Sequence, residues 1–232
     1  MAKLLVANGC SFTRGEELPH PEAQAWPTRL ADRLGVPCVN LARNASSNRR
    51  IVRSTVMRLE AVRREHGLRP EDMVVVIAWT QTARHEYHSA IEPVPQEGPP
   101  DHPVDAGWHR VGPWLLGRGH KPTKAFYDMM WSEEGQLVNF FVDWTLLHGH
   151  LTAHGYDARY AFAFPITDPI PAHAKPLMDA LDADRVWGGL PTPPERSFVN
   201  MPPRFARGPG GHPLEAGHAW FADGLADWIA PR

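Results

Sequence analysis

Four short apolar runs, each followed by a polar turn, recur along the chain. They lie at residues 4–7, 36–41, 73–78 and 159–164. The run at 73–78, Met-Val-Val-Val-Ile-Ala, is continuously apolar and rich in β-branched residues. That pattern is typical of a parallel strand covered on both faces. We therefore predict four strands of one mainly parallel sheet.

Helical periodicity fills the intervals between these runs. Trp26, Leu30 and Leu34 recur at helical spacing before Gly35, a residue type that often ends helices. Further helices are predicted after the polar turn at 44–48 to about 66, and over about 133–154, 172–181 and 212–229. Strands that alternate with helices indicate an α/β fold, here a three-layer α/β/α sandwich. A chain of 232 residues can bury one sizeable core, so we expect a single domain over 1–232.

Two long segments rich in proline and glycine interrupt this alternation, at about 89–131 and 165–211. Connections of this length are uncommon in a compact domain and are usually functional. The first contains Trp108 and Trp114. We expect it to be a lid or substrate-binding insertion, with a contact between copies of the chain as the alternative.

The composition is that of an ordinary globular protein, with 43% hydrophobic and 22% charged residues. A net charge of −2 gives no overall field that would recruit nucleic acid or a membrane surface. Cys10 and Cys38 are expected to be reduced thiols rather than a disulfide framework. No apolar run is long enough for a transmembrane helix or a secretion signal. We therefore expect a cytoplasmic protein with neither nucleic acid nor membrane as a partner.

Arginines are concentrated on the predicted second helix of the sandwich. They are Arg49, Arg50, Arg53, Arg58, Arg63 and Arg64. Most lie off the stripe that contains Ile51, Thr55, Leu59 and Val62. We expect a solvated basic face, with binding of an anion or nucleic acid as the alternative.

A serine follows the first predicted strand through a turn at Asn8 and Gly9. Ser11 is thereby placed at the carboxyl edge of the sheet, where α/β folds locate their chemistry. The structural alternative is that Ser11 and Thr13 only cap the next helix.

Four separated segments together resemble the SGNH, or GDSL-type, hydrolase family. They are Gly9-Cys10-Ser11-Phe12-Thr13, Asn40 to Asn48, Ala78-Trp79-Thr80, and His212-Pro213-x-x-x-Gly217-His218. The first three follow successive strands, the fourth precedes the last helix, and together they span most of the chain. The resemblance implies the flavodoxin-like fold of that family and a serine esterase or acyltransferase activity, with neither a metal nor an organic cofactor.

The resemblance also assigns roles to individual residues. Ser11 would be the nucleophile and His212 the general base. The oxyanion donors would be the backbone N–H groups of Ser11 and Ala45 and a side chain of the third segment, either Thr80 or Gln81.

Three further residues near these segments are candidates for holding the substrate. Asn48 closes the second segment, and Trp79 would contribute to an apolar pocket. Arg84 would clamp a substrate carboxylate or phosphate. Structural roles are the alternatives, namely core packing for Trp79 and an ion pair with Glu86 or another acid for Arg84.

The segments depart from the family pattern in ways that bear on the chemistry. Cys10 stands where the family has Asp. Ala45 replaces a usual Gly, which leaves the backbone donor intact if the turn needs no positive φ. Pro209 occupies the position of the acid that normally precedes the histidine. We therefore expect a backbone carbonyl or a remote acid such as Asp168 to hold the imidazole of His212.

These observations predict a hydrolase or acyltransferase for an ester, less readily an amide, of a small polar molecule or carbohydrate. The reaction would pass through an acyl-enzyme on Ser11. The alternative is a non-catalytic module of the same fold that binds a glycan or metabolite in the same cleft. The sequence leaves the oligomeric state open.

Overall fold

A sheet of four parallel strands is the centre of the computed structural model, which describes residues 2–90 and 102–229. The strands are β1 (Leu4–Asn8), β2 (Cys38–Asn40), β3 (Met73–Trp79) and β6 (Asp157–Phe162), in the order β2-β1-β3-β6. A separate antiparallel hairpin consists of β4 (His85–His88) and β5 (Trp108–Val111). The predicted α/β class is confirmed. β2 is shorter than predicted because Pro37 has no N–H to donate to a neighbouring strand.

Eight helices surround the sheet within the described ranges. They are α1 (Ser11–Arg14), α2 (Pro21–Gln24), α3 (Trp26–Leu34), α4 (Asn48–Glu65), α5 (Lys121–Met129), α6 (Glu133–Ala153), α7 (Lys175–Asp179) and α8 (Glu215–Ile229). The last helix begins at Glu215 rather than at the predicted residue 212, so His212 lies in the loop before it. Because His212 lies in a loop, the geometry of a helix does not fix the direction of its side chain, which can approach a neighbouring segment.

The two faces of the sheet carry two different cores. Along β1, Leu4 and Val6 pack toward the core formed with α4 and α6, whereas Leu5 and Ala7 pack toward the core formed with α3 and α8. All four side chains are fully buried, as expected when side chains alternate across a covered sheet. The arrangement is the predicted three-layer sandwich, and its carboxyl edge is the edge at which Asn8 ends β1.

Ion pairs attach β4 and the first inserted segment to α4. Residues 89–131 contain β5, a short 3-10 turn at Pro113–Arg118 and α5, while residues 91–101 lie outside the described part of the chain. Arg50 Nη2 lies 2.8 Å from Asp105 Oδ2, and Arg53 Nε lies 2.8 Å from Glu86 Oε1. Burial opposes ionisation of Asp105, but hydrogen bonds and charge from Arg50 lower its pKa overall.

The expectation of a solvated basic face on α4 is therefore wrong for Arg50 and Arg53. The side chain of Arg50 is only 3% exposed and that of Asp105 is fully buried. A carboxylate can be buried at this depth only when a cation and hydrogen bonds compensate it. The two arginines hold the hairpin in place and are not available to an external anion.

The two cysteines, Cys10 and Cys38, are free thiols, as predicted. Cys10 is fully buried, and burial raises the pKa of Cys38 to about 12. Within the described ranges, none of the helices is both long and apolar enough to span a bilayer.

Candidate active site

The turn after β1 directs Ser11 out of the sheet edge. Asn8 is locked by its side chain, since Nδ2 donates to Ser54 Oγ and Thr55 Oγ1, both at 2.9 Å. Gly9 follows, and a Cβ at this position would lie 2.1 Å from Thr13 Oγ1. Only glycine fits there, so the chain turns tightly into α1 with Ser11 as the first helical residue.

Ser11 and His212 meet across the carboxyl edge of the sheet although they are 201 positions apart. Ser11 Oγ lies 2.9 Å from His212 Nε2, within hydrogen-bond distance. Capping is not the role of Ser11, because Cys10 occupies the N-cap of α1 and no side chain makes a cap hydrogen bond there. The serine hydroxyl faces an imidazole, as a nucleophile faces its base.

The acid that holds the imidazole is Glu17. His212 Nδ1 lies 2.8 Å from Glu17 Oε2, which also accepts the backbone N–H of His212 at 3.0 Å. Glu17 Oε1 accepts the backbone N–H of Gly210 at 2.6 Å. A remote acid does hold the imidazole, as one of the two expectations had it, but that acid is Glu17, from the segment just after the serine, and neither Asp168 nor a backbone carbonyl.

The contacts of Glu17 favour its ionised form. The backbone N–H of Gly210 is the largest influence that lowers the pKa of Glu17, and the N–H groups of His212 add to it. Glu17 is therefore an anion at neutral pH. An anion beside Nδ1 keeps the proton on that nitrogen and leaves Nε2 able to accept the serine proton.

Two backbone conformations at the site are strained. In the described part of the chain, Glu17 and Ala45 are the two non-glycine residues with positive φ, at 68° and 59°. The left-handed region costs an L-residue about 1–2 kcal/mol. Such outliers persist where the surrounding structure over-determines them, and they cluster at functional sites.

Ala45 lies in a turn that does require positive φ. Ser46 N–H donates to Arg43 O at 3.3 Å across this turn, and Ala45 takes its third position. The expectation that Ala can replace Gly without strain holds only if the turn needs no positive φ, and this turn needs it. The backbone at Ala45 therefore keeps a conformation suited to glycine, at a cost in free energy. Ala45 lines the cleft that contains Ser11.

Two backbone N–H groups are available for an oxyanion. Ser11 begins α1 and Ala45 lies in the facing turn, and both residues line the same cleft. No acceptor in the described ranges takes either N–H group. They can therefore donate to an oxygen of a bound substrate.

The predicted third donor does not reach this cleft. Thr80 is almost fully buried, its hydroxyl has no partner among the described residues, and its backbone is bound on both sides by the Asn48 amide at 2.8 and 3.0 Å. Gln81 points to solvent and accepts a hydrogen bond from Arg84 Nε at 3.3 Å. Thr80 and Gln81 line a neighbouring depression instead, and Asn48 has a structural role.

Trp79 lies in the core and not in a substrate pocket. It is fully buried, and its ring stacks on Tyr160 at a centroid distance of 6.1 Å with Trp144 beside it. The tryptophan that does line the cleft is Trp114, from the inserted segment. The β-strand alternation explains the difference, because Trp79 ends β3 on the face that packs against α6.

The cleft over Ser11 and His212 encloses about 590 Å³, which is ample for a small ligand. Phe12 and Phe164 form an apolar part of its wall. Arg84 lines the cleft, together with Arg110 and Arg118 from the inserted segment. The first insertion thus forms one wall of the cleft.

The model of a family of unknown function, DUF6071, matches residues 15–232. The match includes Glu17 and His212 and begins after Ser11. None of the curated proteins matches the chain significantly.

Several solved structures share the fold. A protein of the G-D-S-L family from Desulfitobacterium hafniense DCB-2 is 13% identical with a TM-score of 0.50, covering 98% of this chain and 99% of that one. The psychrotrophic esterase EstA from Pseudoalteromonas sp. is 11% identical with a TM-score of 0.50, covering 98% and 96%. A carbohydrate esterase family 2 enzyme with a carbohydrate binding domain, from Corynascus thermopiles (Myceliophthora fergusii), is 14% identical with a TM-score of 0.52, covering 98% and 65%. At these identities the likeness shows the fold.

Proposed function

The chain belongs to the family of unknown function DUF6071, and we propose that it is a serine hydrolase that cleaves a carboxylic ester through an acyl-enzyme on Ser11. The observation that carries the proposal is a continuous pair of hydrogen bonds. Ser11 Oγ lies 2.9 Å from His212 Nε2, and His212 Nδ1 lies 2.8 Å from Glu17 Oε2. This is the arrangement by which a base activates a serine and an acid orients the base.

Acylation begins when Ser11 Oγ attacks the ester carbonyl carbon. The serine proton passes to His212 Nε2, and the carbonyl electron pair moves onto oxygen. The N–H groups of Ser11 and Ala45 stabilise that oxyanion, while Glu17 stabilises the imidazolium. The intermediate then collapses, the bond from carbon to the alkoxy oxygen breaks, and the leaving alcohol takes the proton from His212.

Deacylation repeats these steps with water. His212 takes a proton from the water, whose oxygen attacks the acyl carbon, and Ser11 leaves with its proton restored. An alcohol in place of water gives transfer of the acyl group instead of hydrolysis. The substrate is an ester of a small polar molecule or a carbohydrate, a proposal that the size of the cleft and the esterases among the fold relatives support.

Labelling with a fluorophosphonate probe tests the proposal directly, because only an activated serine reacts. We expect the wild-type protein to be labelled and to hydrolyse 4-nitrophenyl butyrate, and Ser11→Ala to lose both activities. Ser132→Ala is the matched control, since Ser132 is an exposed serine that caps α6. A folded wild-type protein that neither reacts nor hydrolyses esters, yet binds small ligands, would show that the cleft is a non-catalytic binding site.

A further inference from the structure

We infer that the cleft takes an ester whose acyl or alcohol part carries an anionic group, a carboxylate or a phosphate. The inference rests on the proposed hydrolase function and specifies its class of substrate. It comes from the arginines that share the cleft with Ser11 and His212. They are Arg84, Arg110 and Arg118.

Among the described residues, three guanidinium groups line the cleft, although the whole chain has a net charge of −2. Within the described ranges, one carboxylate, Glu16, also lines it and accepts a hydrogen bond from Asn44 Nδ2. The nearby carboxylate of Glu17 is occupied by N–H groups of Gly210 and His212. In this part of the chain, guanidinium groups therefore outnumber the carboxylates of Glu16 and Glu17 at the place where the substrate must bind, and low-dielectric walls strengthen the field of such charges.

Arg84 lies beside two aromatic rings of the cleft wall. Its guanidinium carbon lies 5.3 Å from the ring centroid of Trp114 and 5.1 Å from that of Phe164. Its Nε donates to Gln81, which leaves the terminal nitrogens as donors. A guanidinium with free terminal nitrogens can donate two parallel hydrogen bonds to a carboxylate or a phosphate.

The acid considered as a structural partner of Arg84 is engaged elsewhere. Glu86 accepts two hydrogen bonds from Arg53, at Nε and Nη2, each of 2.8 Å. In the described ranges, no carboxylate forms an ion pair with Arg84 or with Arg118. Arginines on α4 contrast with them, since Arg50 and Arg63 are both matched with acids.

The other two arginines extend the positive wall along the insertion. Arg110 Nη1 donates to Asn44 O at 3.3 Å, which holds this side chain beside the turn that contains Ala45. Arg118 ends the 3-10 turn and is exposed at the cleft. An anionic group bound here would contact charge from two elements of the inserted segment and from Arg84, in the turn between β3 and β4.

A matched pair of esters tests the inference. The 4-nitrophenyl monoester of adipic acid and 4-nitrophenyl hexanoate have the same acyl chain length, and only the first ends in a carboxylate. We expect the wild-type kcat/KM to favour the adipate ester by about tenfold or more, the range for hydrogen bonds to charged groups. Arg84→Gln and Arg118→Gln should each lower this ratio by about fivefold or more. Arg64→Gln is the matched control, because Arg64 is exposed on α4 and paired with Glu60, and it should keep the wild-type ratio.

Inhibition distinguishes the two anions. Free adipate and inorganic phosphate are compared as competitive inhibitors of hexanoate hydrolysis, and the more potent of them identifies the anion that the cleft prefers. Hydrolysis of hexanoate that depends on Ser11, with a ratio near one and no inhibition by either anion, would overturn the anionic substrate while leaving the hydrolase intact. Failure of wild type to cleave either ester would instead overturn the proposed function. In that event, calorimetry with adipate and with phosphate tests the anion site independently of catalysis. Binding that is weaker in Arg84→Gln supports the site, and absence of binding overturns it.

Discussion

Replacing Glu17 by glutamine separates the charge of this residue from its shape. Both carboxylate oxygens accept hydrogen bonds, Oε1 from Gly210 N–H and Oε2 from the backbone and ring of His212. An amide has one oxygen and one nitrogen, so Glu17→Gln can satisfy only one of these two sides. If nitrogen faces His212 Nδ1, the imidazole carries its proton on Nε2 and cannot accept the proton of Ser11.

The expected loss in kcat is about 10³–10⁴-fold, because an amide in place of the acid of a serine triad favours the wrong tautomer at a comparable cost. The assay is steady-state hydrolysis of 4-nitrophenyl butyrate, with a thermal melt to show that the variant is folded. Asp168→Asn is the matched control, since the remote acid makes no contact with His212 in the described structure. We expect that variant to stay within about twofold of wild type.

A second expectation follows from the lowered pKa of Glu17. A carboxyl group with a depressed pKa remains ionised as the pH falls through its ordinary range and is neutralised only below it. If activity falls when the pH is lowered from neutral, protonation of Glu17 is not the cause, and another group must be titrating.

The reasoning about the charge of Glu17 is refuted if Glu17→Gln keeps kcat within about threefold of wild type while the melt is unchanged.

Two other predictions concern backbone strain and a buried histidine. Ala45→Gly relieves the strain of positive φ but increases the conformational entropy of the unfolded chain, so we expect the free energy of unfolding to change by less than about 1 kcal/mol. Ala45→Val should destabilise the protein by about 1 kcal/mol or more in chemical denaturation. Equal stability of the two variants would contradict the strain at Ala45. His218 accepts the backbone N–H of Trp26 at 3.0 Å, and burial lowers the pKa of His218 to about 3. The unfolded chain takes up this proton near pH 6.5 and the folded one does not, so stability should fall between about pH 6.5 and 3, by at most about 1.4 kcal/mol per pH unit from this group. His218→Asn should flatten that part of the stability curve, and an unchanged slope would exclude His218 as its source.

The sheet was predictable because apolar runs and polar turns follow directly from burial of strands on both faces. The helices at Trp26–Leu34 and Glu133–Ala153 were predictable for the same reason, since their periodic apolar residues meet the sheet. The hairpin of β4 and β5 was not predicted. Its charged residues are stabilised by arginines of α4, and single-sequence patterns do not show which distant charges pair.

The candidate site was predictable where motif and position agree, as for Ser11 and His212. Glu17 was missed because its role depends on a contact across 195 positions and on a positive φ. A signal was present in the loop before His212. Gly210 has a backbone N–H without a side chain to cover it, and it donates with the N–H of His212 to the carboxylate of Glu17, an acid near the serine.

Thr80 illustrates a different limit of sequence reasoning. It occupies the motif position of an oxyanion donor, but the Asn48 amide binds its backbone N–H and C=O groups and its hydroxyl is buried away from the cleft. A motif position gives the place along the chain and does not give the direction of the side chain.

The placement of Glu17 has a consequence for finding related chains. Signatures of serine hydrolases that demand an aspartate shortly before the terminal histidine would reject this chain, although an acid reaches the same ring nitrogen from the opposite end of the polypeptide. A pattern that instead asks for a glutamate six residues after the serine, together with a glycine pair before the histidine, would retrieve chains with this arrangement. Such chains would otherwise be set aside as inactive copies.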